Sequence, residues 1–434
     1  MTDGDSSREI ILDILLAVTR DGEYSHIALK SALDKHQYLE KRERAFITKV
    51  TEGTLEHQIR IDYILNTFSN TKVNKMKPVI RCILRSAVYQ ICFLDAVPDS
   101  AACNEAVKLA GKRGFRTLKG FVNGVLRSIV RNRDKISYPL KKGDPIQYLS
   151  IQYSLPEWLV RQWTEEYGYE QTEEMAVSFL KKSATCVRIN TEKTTKEELL
   201  FMLKADGITV REHAQWQEVL YLSDYDYLGK IEAFRKGLFY VQDISSMLVA
   251  KTAQPEKGDV VLDLCAAPGG KSIHMAQLLQ GSGKVIARDL TPQKVALIEE
   301  NVVRCQVENI RAECADARIY DESLKEKADI VIADLPCSGL GVIGKKKDIK
   351  YKMTPEKEEE LVKLQREILS VAVHYVKPHG KLLYSTCTIH RAENEENARW
   401  LLRECPELSL ISEKQIFPGS EGNDGFFIAQ FLKK

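Results

Sequence analysis

Apolar side chains recur at helical spacing through the first third of the chain, residues 7–133. Ile10 and Ile14 are four positions apart, and Val79 and Ile83 repeat the same interval further along. Such spacing puts the apolar groups on one face of a helix. Glycine and proline, which interrupt helices, are sparse before residue 111. The pattern predicts a compact all-α domain.

A linker and a mixed region follow the helical pattern. Two prolines and a glycine within residues 138–145 predict a break in the chain. After it, residues 155–158 predict a helix with proline in its first turn. Residues 185–190 alternate like a strand, and residues 195–198 carry helix-capping side chains. The region up to about residue 235 is therefore predicted to be a small α+β domain.

From about residue 236 short apolar strands alternate with helices. The predicted strands are 260–264, 284–289, 310–314, 329–334 and 380–385, and the clearest helices are 291–305, 355–376 and 391–404. Nearly all-apolar strands separated by helices predict a parallel sheet that is covered on both faces. Ligands bind such sheets outside the carboxyl ends of the strands. We therefore expect three domains, with boundaries 1–140, 145–235 and 236–434.

Composition narrows the class of protein. The chain has 434 residues and 44% hydrophobic content, enough for two or three cores, and contains no apolar run long enough to span a membrane. Its first residues are acidic and polar, unlike a signal peptide. The ten cysteines include no Cys-x-x-Cys pair, which argues against a metal site and a disulfide framework. We expect a reduced, cytoplasmic protein without a metal.

Positive charge is concentrated in residues 101–150, which contain eleven Lys or Arg and three Asp or Glu, although the net charge of the whole chain is only +2. A solvated helix face is the simpler interpretation. A local basic patch on a near-neutral chain is also typical of a protein that binds a phosphate backbone.

A glycine-containing turn, residues 266–271, follows the first strand of the α/β region. Glycine lets the backbone approach a ligand closely. The turn matches neither the dinucleotide nor the P-loop pattern. Asp289, Asp316 and Asp334 lie at or just after the next strand ends, where carboxylates can bind ribose hydroxyls and an adenine amino group. Together they favour an adenosine cofactor without a pyrophosphate, such as S-adenosylmethionine (SAM), over a purely structural turn.

Two cysteines follow later strands of the same region. Cys337 lies in the segment 334–339 and Cys387 in the segment 384–388, each at the predicted carboxyl end of a strand. One thiolate at such a site can form a covalent bond with a substrate, and a second group can help to break it. The residues alone do not distinguish which of the two thiols attacks.

These motifs resemble those of the RsmB/Sun family of SAM-dependent RNA cytosine-5 methyltransferases. The resemblance rests on residues 265–272, 334–339 and 385–388, with 84–90 and 120–127 similar to the family's NusB-type helical RNA-binding domain and 424–429 to its last strand. It implies an all-α NusB-like domain, a small α+β RNA-binding domain and a C-terminal Rossmann-like α/β methyltransferase domain. Two departures are Thr388, where the family usually has serine, and the absence of a proline before Asp348.

The resemblance also implies roles for individual residues. Cys387 would be the nucleophile that adds to carbon 6 of cytosine, and Cys337 would assist product release. By the chemistry of the residues themselves, Asp334 would stabilise the adduct at N3, and either Lys271 or a helix N-terminus would lower the pKa of the Cys387 thiol. The implied SAM-binding residues are Cys265, Ala266, Ala267, Pro268, Gly269, Gly270, Lys271, Asp289, Asp316 and Asp334. Although Cys265 adjoins the glycine turn, we interpret its side chain as a packing group.

The implied substrate is 16S rRNA, with a target of the cytosine 967 type. We expect a monomer that binds RNA and neither DNA nor a membrane. Another RNA, such as tRNA or 23S rRNA, is the alternative substrate, and a non-catalytic RNA-binding assembly factor is the alternative class. The glycine- and lysine-rich loop 339–352 is predicted to be either a flexible lid that grips RNA phosphates or a disordered basic loop.

Overall fold

The computed structural model describes residues 6–181, 184–419 and 423–434. The chain forms two compact units, each described here by itself. The first contains the N-terminal residues up to Leu180 together with Ile343–Lys352, and the second contains Lys181–Val342 and Met353–Lys434.

The first unit is helical, as the apolar spacing predicts for residues 7–133, and its last three helices lie in the region predicted to be α+β. Its helices are α1 (Ser7–Thr19), α2 (Ser25–Lys35), α3 (Lys41–Glu56), α4 (Gln58–Phe68), α5 (Pro78–Phe93), α6 (Asp99–Lys112), α7 (Lys119–Asn132), α8 (Pro145–Tyr153), α9 (Glu157–Tyr167) and α10 (Tyr169–Phe179). Ser6 and Glu9 form a capping box at the start of α1, and Pro78 is the first residue of α5. Pro156 is the N-cap of α9, not a residue of its first turn as predicted.

The helices α1 to α7 share one continuous apolar core. Side chains from α3, α4, α5 and α7 meet in it, and those of Ile47, Ile61, Leu84, Leu126 and Ile129 are fully buried. Burial of these faces accounts for most of the stability of the helices, because isolated helices of this length are marginal in water.

The second unit begins with a small antiparallel sheet. Its elements are β1 (Thr185–Ile189), α11 (Lys196–Ala205), β2 (Thr209–Glu212), β3 (Val219–Ser223), α12 (Glu232–Arg235) and β4 (Phe239–Val241). Over the described residues the strand order is β2-β3-β1-β4. Thr195 and Glu198 form the predicted capping box at the start of α11. The predicted strand at 185–190 is confirmed. Strands β2 and β4 are too short to give a clear alternating pattern, and β3 does not alternate because its first four residues are all buried.

A larger sheet follows in the second unit. The elements are α13 (Ile244–Ala253), β5 (Val260–Asp263), α14 (Gly270–Leu278), β6 (Lys284–Asp289), α15 (Pro292–Cys305), β7 (Ile310–Cys314), β8 (Ala328–Asp334), α16 (Ile349–Lys352), α17 (Pro355–Tyr375), β9 (Val376–Thr386), α18 (Glu395–Glu404), β10 (Leu408–Ile416) and β11 (Phe426–Lys433). Of these, α16 belongs to the first unit. The strands predicted from the sequence are all present. Thr291 and Thr354 cap α15 and α17, each of which begins with proline.

The strand order of this sheet, over the described residues, is β10-β11-β9-β8-β5-β6-β7. Strands β5 to β9 are parallel, as predicted, but β11 is antiparallel to β9 and β10 is antiparallel to β11. The prediction of a purely parallel sheet is therefore wrong at this edge. Strand order reverses between β5 and β8, and ligands of parallel sheets bind at such a switch point.

The segment Ile343–Lys352, which we name the connecting segment, is an integral part of the first unit. Asp348 accepts hydrogen bonds from the backbone nitrogen and Oγ of Ser25, the first residue of α2, at 3.1 and 2.5 Å. Lys350 donates to the carbonyl of Glu56 at 2.9 Å, where α3 ends. The segment thus caps one helix at its N-terminus and another at its C-terminus.

In the described part of the chain, no helix combines the length and the hydropathy that crossing a membrane requires.

Candidate active site

The glycine turn lies between β5 and α14 and is held against β6. Gly269 has a φ of +101°, which favours glycine, and donates to the carbonyl of Ala266. The backbone nitrogen of Ala266 donates to the carbonyl of Arg288 at 2.8 Å, and that of Ala267 donates to Asp289 at 2.9 Å. The turn is therefore fixed by backbone contacts, and its backbone borders the carboxyl ends of the strands.

Asp289 and Asp316, predicted to bind the adenosine part of a cofactor, are already held by other groups. Asp289 is almost fully buried and also accepts hydrogen bonds from the nitrogen of Leu290 at 2.8 Å and from Lys294 at 2.9 Å. Asp316 accepts hydrogen bonds from the Arg318 guanidinium at 2.7 and 3.0 Å, and these hydrogen bonds lower the pKa of Asp316. Both stay predicted cofactor residues, and both are fixed in orientation.

Asp263, at the end of β5, is a site residue that the sequence reasoning missed. It is almost fully buried, and its Oδ2 accepts a hydrogen bond from Ser272 at 2.6 Å. Its Oδ1 has no hydrogen-bond partner among the described residues. Burial raises the pKa of Asp263 to about 7. A buried carboxylate with an unused oxygen at a strand end is suited to a positively charged ligand group.

Lys271 and Asp334 form an ion pair where α14 and β8 approach each other. Lys271 Nζ lies 2.6 Å from Asp334 Oδ2, and Ser385 donates to Asp334 Oδ1 at 2.7 Å. Burial opposes a charge on Lys271, but Asp334 outweighs it and raises the pKa of Lys271. The lysine therefore stays charged inside a mostly buried site.

The thiol pair, Cys337 and Cys387, lies beside this ion pair, and its Sγ atoms are 3.4 Å apart. Parallel pairing of β8 and β9, with Asp334 opposite Ser385, brings the two thiols together. The hydrogen bond with Cys387 and burial raise the pKa of Cys337 well above its usual value. Cys387 in turn contributes to the raised pKa of Lys271, so the ammonium and the Cys387 thiolate stabilise each other.

The structure thus brings together four residues that the sequence reasoning named: Cys337, Cys387, Asp334 and Lys271. Cys265 lies before the glycine turn, and its side chain packs against the apolar core around β5 and β8. Burial raises the pKa of its thiol, as expected for a packing residue. The arrangement can supply one thiolate, one protonated thiol and a lysine–carboxylate pair to a single substrate group.

Comparison with known proteins identifies the family. Residues 250–432 match the model described as 16S rRNA methyltransferase RsmB/F, residues 5–131 match the NusB family, and residues 155–225 match the ferredoxin-like domain of RsmF/B-like methyltransferases. The chain is 38% identical to the probable ribosomal RNA small subunit methyltransferase B of Bacillus subtilis over 99% of both chains. It is 30% identical to the protein described in the same words from Synechocystis, again over 99% of both.

The chain belongs to the RsmB/F family of 16S rRNA methyltransferases. It is a SAM-dependent rRNA methyltransferase, and the predicted family, fold class and cofactor are confirmed.

Solved structures agree with this assignment. The crystal structure of PH0851 has a TM-score of 0.84 and 28% identity, covering 98% of each chain. The structure of NSun6 from Pyrococcus horikoshii with SFG has a TM-score of 0.58 and 24% identity, covering 64% of this chain and 98% of that one, and shows a shared fold. The family matches lie within the three predicted domains, whose boundaries stay predictions.

The residues at the glycine turn fit SAM, an adenosine cofactor that carries positive charge. The turn offers backbone groups and no cluster of cations of the kind that binds a pyrophosphate. Asp263 Oδ1 is a buried acceptor without a partner among the described residues, and it could accept from the ammonium of the methionine part. Asp289 and Asp316 would hold the adenosine part.

The two predictions for the loop 339–352 are wrong over the connecting segment. Lys350 is buried, Lys347 pairs with Glu56, and Lys352 donates to the carbonyl of Glu23 at 2.5 Å. Because these lysines are bound within the first unit, they do not form a mobile phosphate clamp. The lysine pattern alone could not reveal this, since the partners of these lysines are about 300 residues away in sequence.

The basic stretch of 101–150 lies mainly on α6 and α7. Lys112 pairs with Glu9 at 2.8 Å, and Arg113 pairs with Asp13 at 2.7 Å. The exposed cations of the same stretch include Arg116, Lys119, Arg127 and Arg131. Part of the predicted patch therefore stabilises the first unit, and the exposed part leaves positive charge on its surface.

Proposed function

We propose that the chain methylates carbon 5 of one cytosine in 16S rRNA, of the cytosine 967 type, through a covalent bond between Cys387 and carbon 6. The observation that carries this proposal is the thiol pair, whose Sγ atoms lie 3.4 Å apart beside the Lys271–Asp334 ion pair. Carbon 5 of cytosine is a poor nucleophile. It becomes reactive only after a thiolate has added to carbon 6 and broken the 5,6 double bond.

Cys387 is the proposed nucleophile. Its thiolate is favoured by the charge of Lys271, whereas Cys337 keeps its proton because its pKa is raised. Bound SAM supplies the electrophilic methyl group that carbon 5 attacks. After transfer, the proton on carbon 5 leaves, the electron pair re-forms the 5,6 double bond, and the bond between carbon 6 and Cys387 breaks.

Cys337 is proposed to assist that last step. Its Sγ lies 3.4 Å from Cys387 Sγ, so its proton is within reach of the departing thiolate. Base assistance in removing the carbon 5 proton is the other role proposed for Cys337. The two thiols thus have complementary roles: one forms the adduct and the other helps to end it.

Asp334 is proposed to act at N3 of the cytosine. Its two oxygens accept hydrogen bonds from Lys271 and Ser385. A carboxylate accepts hydrogen bonds, so Asp334 can hold N3 once N3 of the adduct has taken a proton, and the Lys271 ammonium 2.6 Å away balances the charge of the carboxylate. The Lys271–Asp334 pair is therefore the proposed unit that stabilises the adduct.

A pair of cysteine variants tests the roles. We expect Cys387→Ala to abolish both methyl transfer and covalent capture of RNA. We expect Cys337→Ala to form an RNA adduct that survives a denaturing gel. An adduct with Cys387→Ala and none with Cys337→Ala would reverse the assignment.

The substrate is tested separately, with tritiated SAM and protein-free 16S rRNA, 23S rRNA and tRNA in parallel. Bisulfite sequencing of the labelled RNA then identifies the methylated cytosine. Transfer only to 23S rRNA or tRNA would overturn the 16S proposal, and no transfer to any RNA despite SAM binding would favour a non-catalytic assembly factor. Residence in the cytoplasm and a monomeric state are part of the same proposal.

A further inference from the structure

Behind the thiol pair lies a buried polar network centred on Glu393. Glu393 is fully buried, as are Ser338, Thr388 and Gln365. Its carboxylate accepts hydrogen bonds from the backbone nitrogen of Ser338 at 2.9 Å, from Ser338 Oγ at 2.5 Å and from Gln365 Nε2 at 2.9 Å. A buried carboxylate is costly unless its oxygens are hydrogen-bonded, and these three donors meet that requirement.

The network is directional and joins the two thiol-bearing loops. Ser338 follows Cys337, and Thr388 follows Cys387. The Ser338 hydroxyl donates its single proton to Glu393, so at its 2.7 Å contact with Thr388 Oγ1 it accepts. The chain of donors therefore runs from Thr388 through Ser338 to Glu393. A threonine at 388 keeps this link, as the family's usual serine would, because both carry a hydroxyl.

The loop that carries Cys337 depends on Glu393 at several points. Gln365 Nε2, which donates to Glu393, also donates to the carbonyl of Pro336 at 2.9 Å. The two residues flanking Cys337 are thus attached to one carboxylate, Ser338 directly and Pro336 through Gln365.

The position of Cys387 has its own support. Asn394 accepts from Thr386 Oγ1 at 2.5 Å and donates to the carbonyl of Thr388 at 3.1 Å. The carbonyl of Cys387 itself accepts from the nitrogen of Gly341 at 3.1 Å. Loss of the Glu393 carboxylate would therefore loosen the Cys337 loop more than the Cys387 loop.

We propose that Glu393 is a positioning residue that holds the Cys337 thiol against Cys387 for the release step. The inference rests on the cysteine roles proposed above. Ligand atoms of Glu358 and His390 lie within 4.8 Å of Glu393, as in some metal sites. We assign the carboxylate to the loop rather than to a cation, because both of its oxygens already accept hydrogen bonds from Ser338 or Gln365.

The test is Glu393→Gln in the full-length protein, assayed with SAM and 16S rRNA. The glutamine side chain has one acceptor oxygen fewer than glutamate and directs an NH₂ donor towards the Ser338 hydroxyl. The loop that carries Cys337 should therefore move from its position. We expect kcat to fall roughly 10- to 100-fold, the effect of losing a hydrogen bond to a buried charge, with little change in KM. Denaturing gels should show covalent RNA adduct accumulating, although Cys337 is intact. Glu396→Gln, at an exposed position three residues later in α18, is the matched control.

A second pair of variants isolates the hydroxyl chain. Thr388→Ser keeps the donor to Ser338 and should turn over normally, whereas Thr388→Val removes it and should accumulate adduct as Glu393→Gln does. SAM binding by calorimetry and the melting temperature show whether each variant is folded. If Glu393→Gln is unstable, the Thr388 pair still decides the question.

Cys337→Ala, run in parallel, separates the two proposals. If Cys337→Ala accumulates adduct and folded Glu393→Gln or Thr388→Val does not, the positioning role is wrong and the cysteine roles stand. If Cys337→Ala itself gives no adduct, the failure lies in the proposed function. If Glu393→Gln and Thr388→Val both lose adduct formation and SAM binding to the same degree, Glu393 only maintains the fold.

Discussion

The Sγ atoms of Cys337 and Cys387 lie 3.4 Å apart although the residues are 50 positions apart in the chain. The distance follows from the register of β8 and β9, which places Asp334 opposite Ser385 and lets both strands end at the same edge. In the mechanism proposed above, this proximity puts a proton donor next to the leaving thiolate. The same proximity exposes the pair to oxidation, since a disulfide needs only a shorter approach of the two sulfurs.

We expect hydrogen peroxide to join Cys337 and Cys387 in a disulfide. The Cys387 thiolate would be oxidised to a sulfenic acid, and the Cys337 thiol would displace water from it, so that two thiols and one peroxide give one disulfide and two waters. Methyl transfer should stop and return with dithiothreitol. Peptide mapping under non-reducing conditions identifies the bond. Cys314→Ser, which removes an exposed cysteine, is the control and should behave as the unmodified protein; a crosslink to another cysteine instead would contradict the expectation.

Lys271 should control the reactivity of Cys387. Its ammonium favours the thiolate, so Lys271→Gln should raise the pKa of Cys387 and shift its alkylation profile to higher pH. The measurement is the rate of iodoacetamide labelling of the Cys387 peptide from pH 6 to 10. The matched control is Lys284→Gln, because Lys284 is exposed and begins β6, at the end of the strand away from Asp289. Superimposable profiles for Lys271→Gln and the control would mean that another group activates the thiol.

Local sequence patterns were sufficient to predict an all-α fold for residues 7–133 and the parallel strands, because apolar periodicity and proline caps are local features. They were also sufficient to place Cys337, Cys387, Asp334 and Lys271 at one sheet edge, since strand ends converge there. Glu393 could not be predicted, because its role depends on Ser338, 55 residues earlier. The connecting segment was misread for the same physical reason: a lysine that caps a distant helix looks, in sequence, like an exposed lysine.

Asp348 should contribute to the stability of the first unit. It is buried, caps the N-terminus of α2 through Ser25 and pairs with Lys352 at 2.9 Å. Asp348→Ala removes the acceptor for the backbone nitrogen and hydroxyl of Ser25, and we expect a loss of about 1–3 kcal/mol. Hydrogen exchange of the α2 amides measures it locally. Lys346→Ala, an exposed neighbour, should leave exchange unchanged; equal protection in both variants would mean that the cap contributes nothing.

Lys350 should make the stability of the first unit depend on pH. Burial lowers the pKa of Lys350 to about 7, and the nearby charge of Lys347 adds to this effect, whereas Glu56 opposes it. In the unfolded chain a lysine has a pKa of about 10.4. Below pH 7 both states bind the proton, and the folded state bears the full cost of a buried charge. Between about pH 7 and 10.4 only the unfolded state keeps the proton, so the free energy of unfolding rises with pH.

Lys350→Met isolates this effect, because the variant keeps the apolar stem and removes the titrating group. Neighbouring His57 has a pKa lowered to about 4, chiefly by burial, and does not titrate in this range. The unmodified protein should gain on the order of a few kcal/mol relative to Lys350→Met between pH 7 and 10, with a slope of at most about 1.4 kcal/mol per pH unit. Chemical denaturation at each pH measures the free energy of unfolding of both full-length proteins. Hydrogen exchange of the α3 amides gives the same comparison locally. If the free energies of unfolding of the two proteins change in parallel with pH, Lys350 keeps its proton in the folded state. The group that donates to the Glu56 carbonyl would then be a charged ammonium.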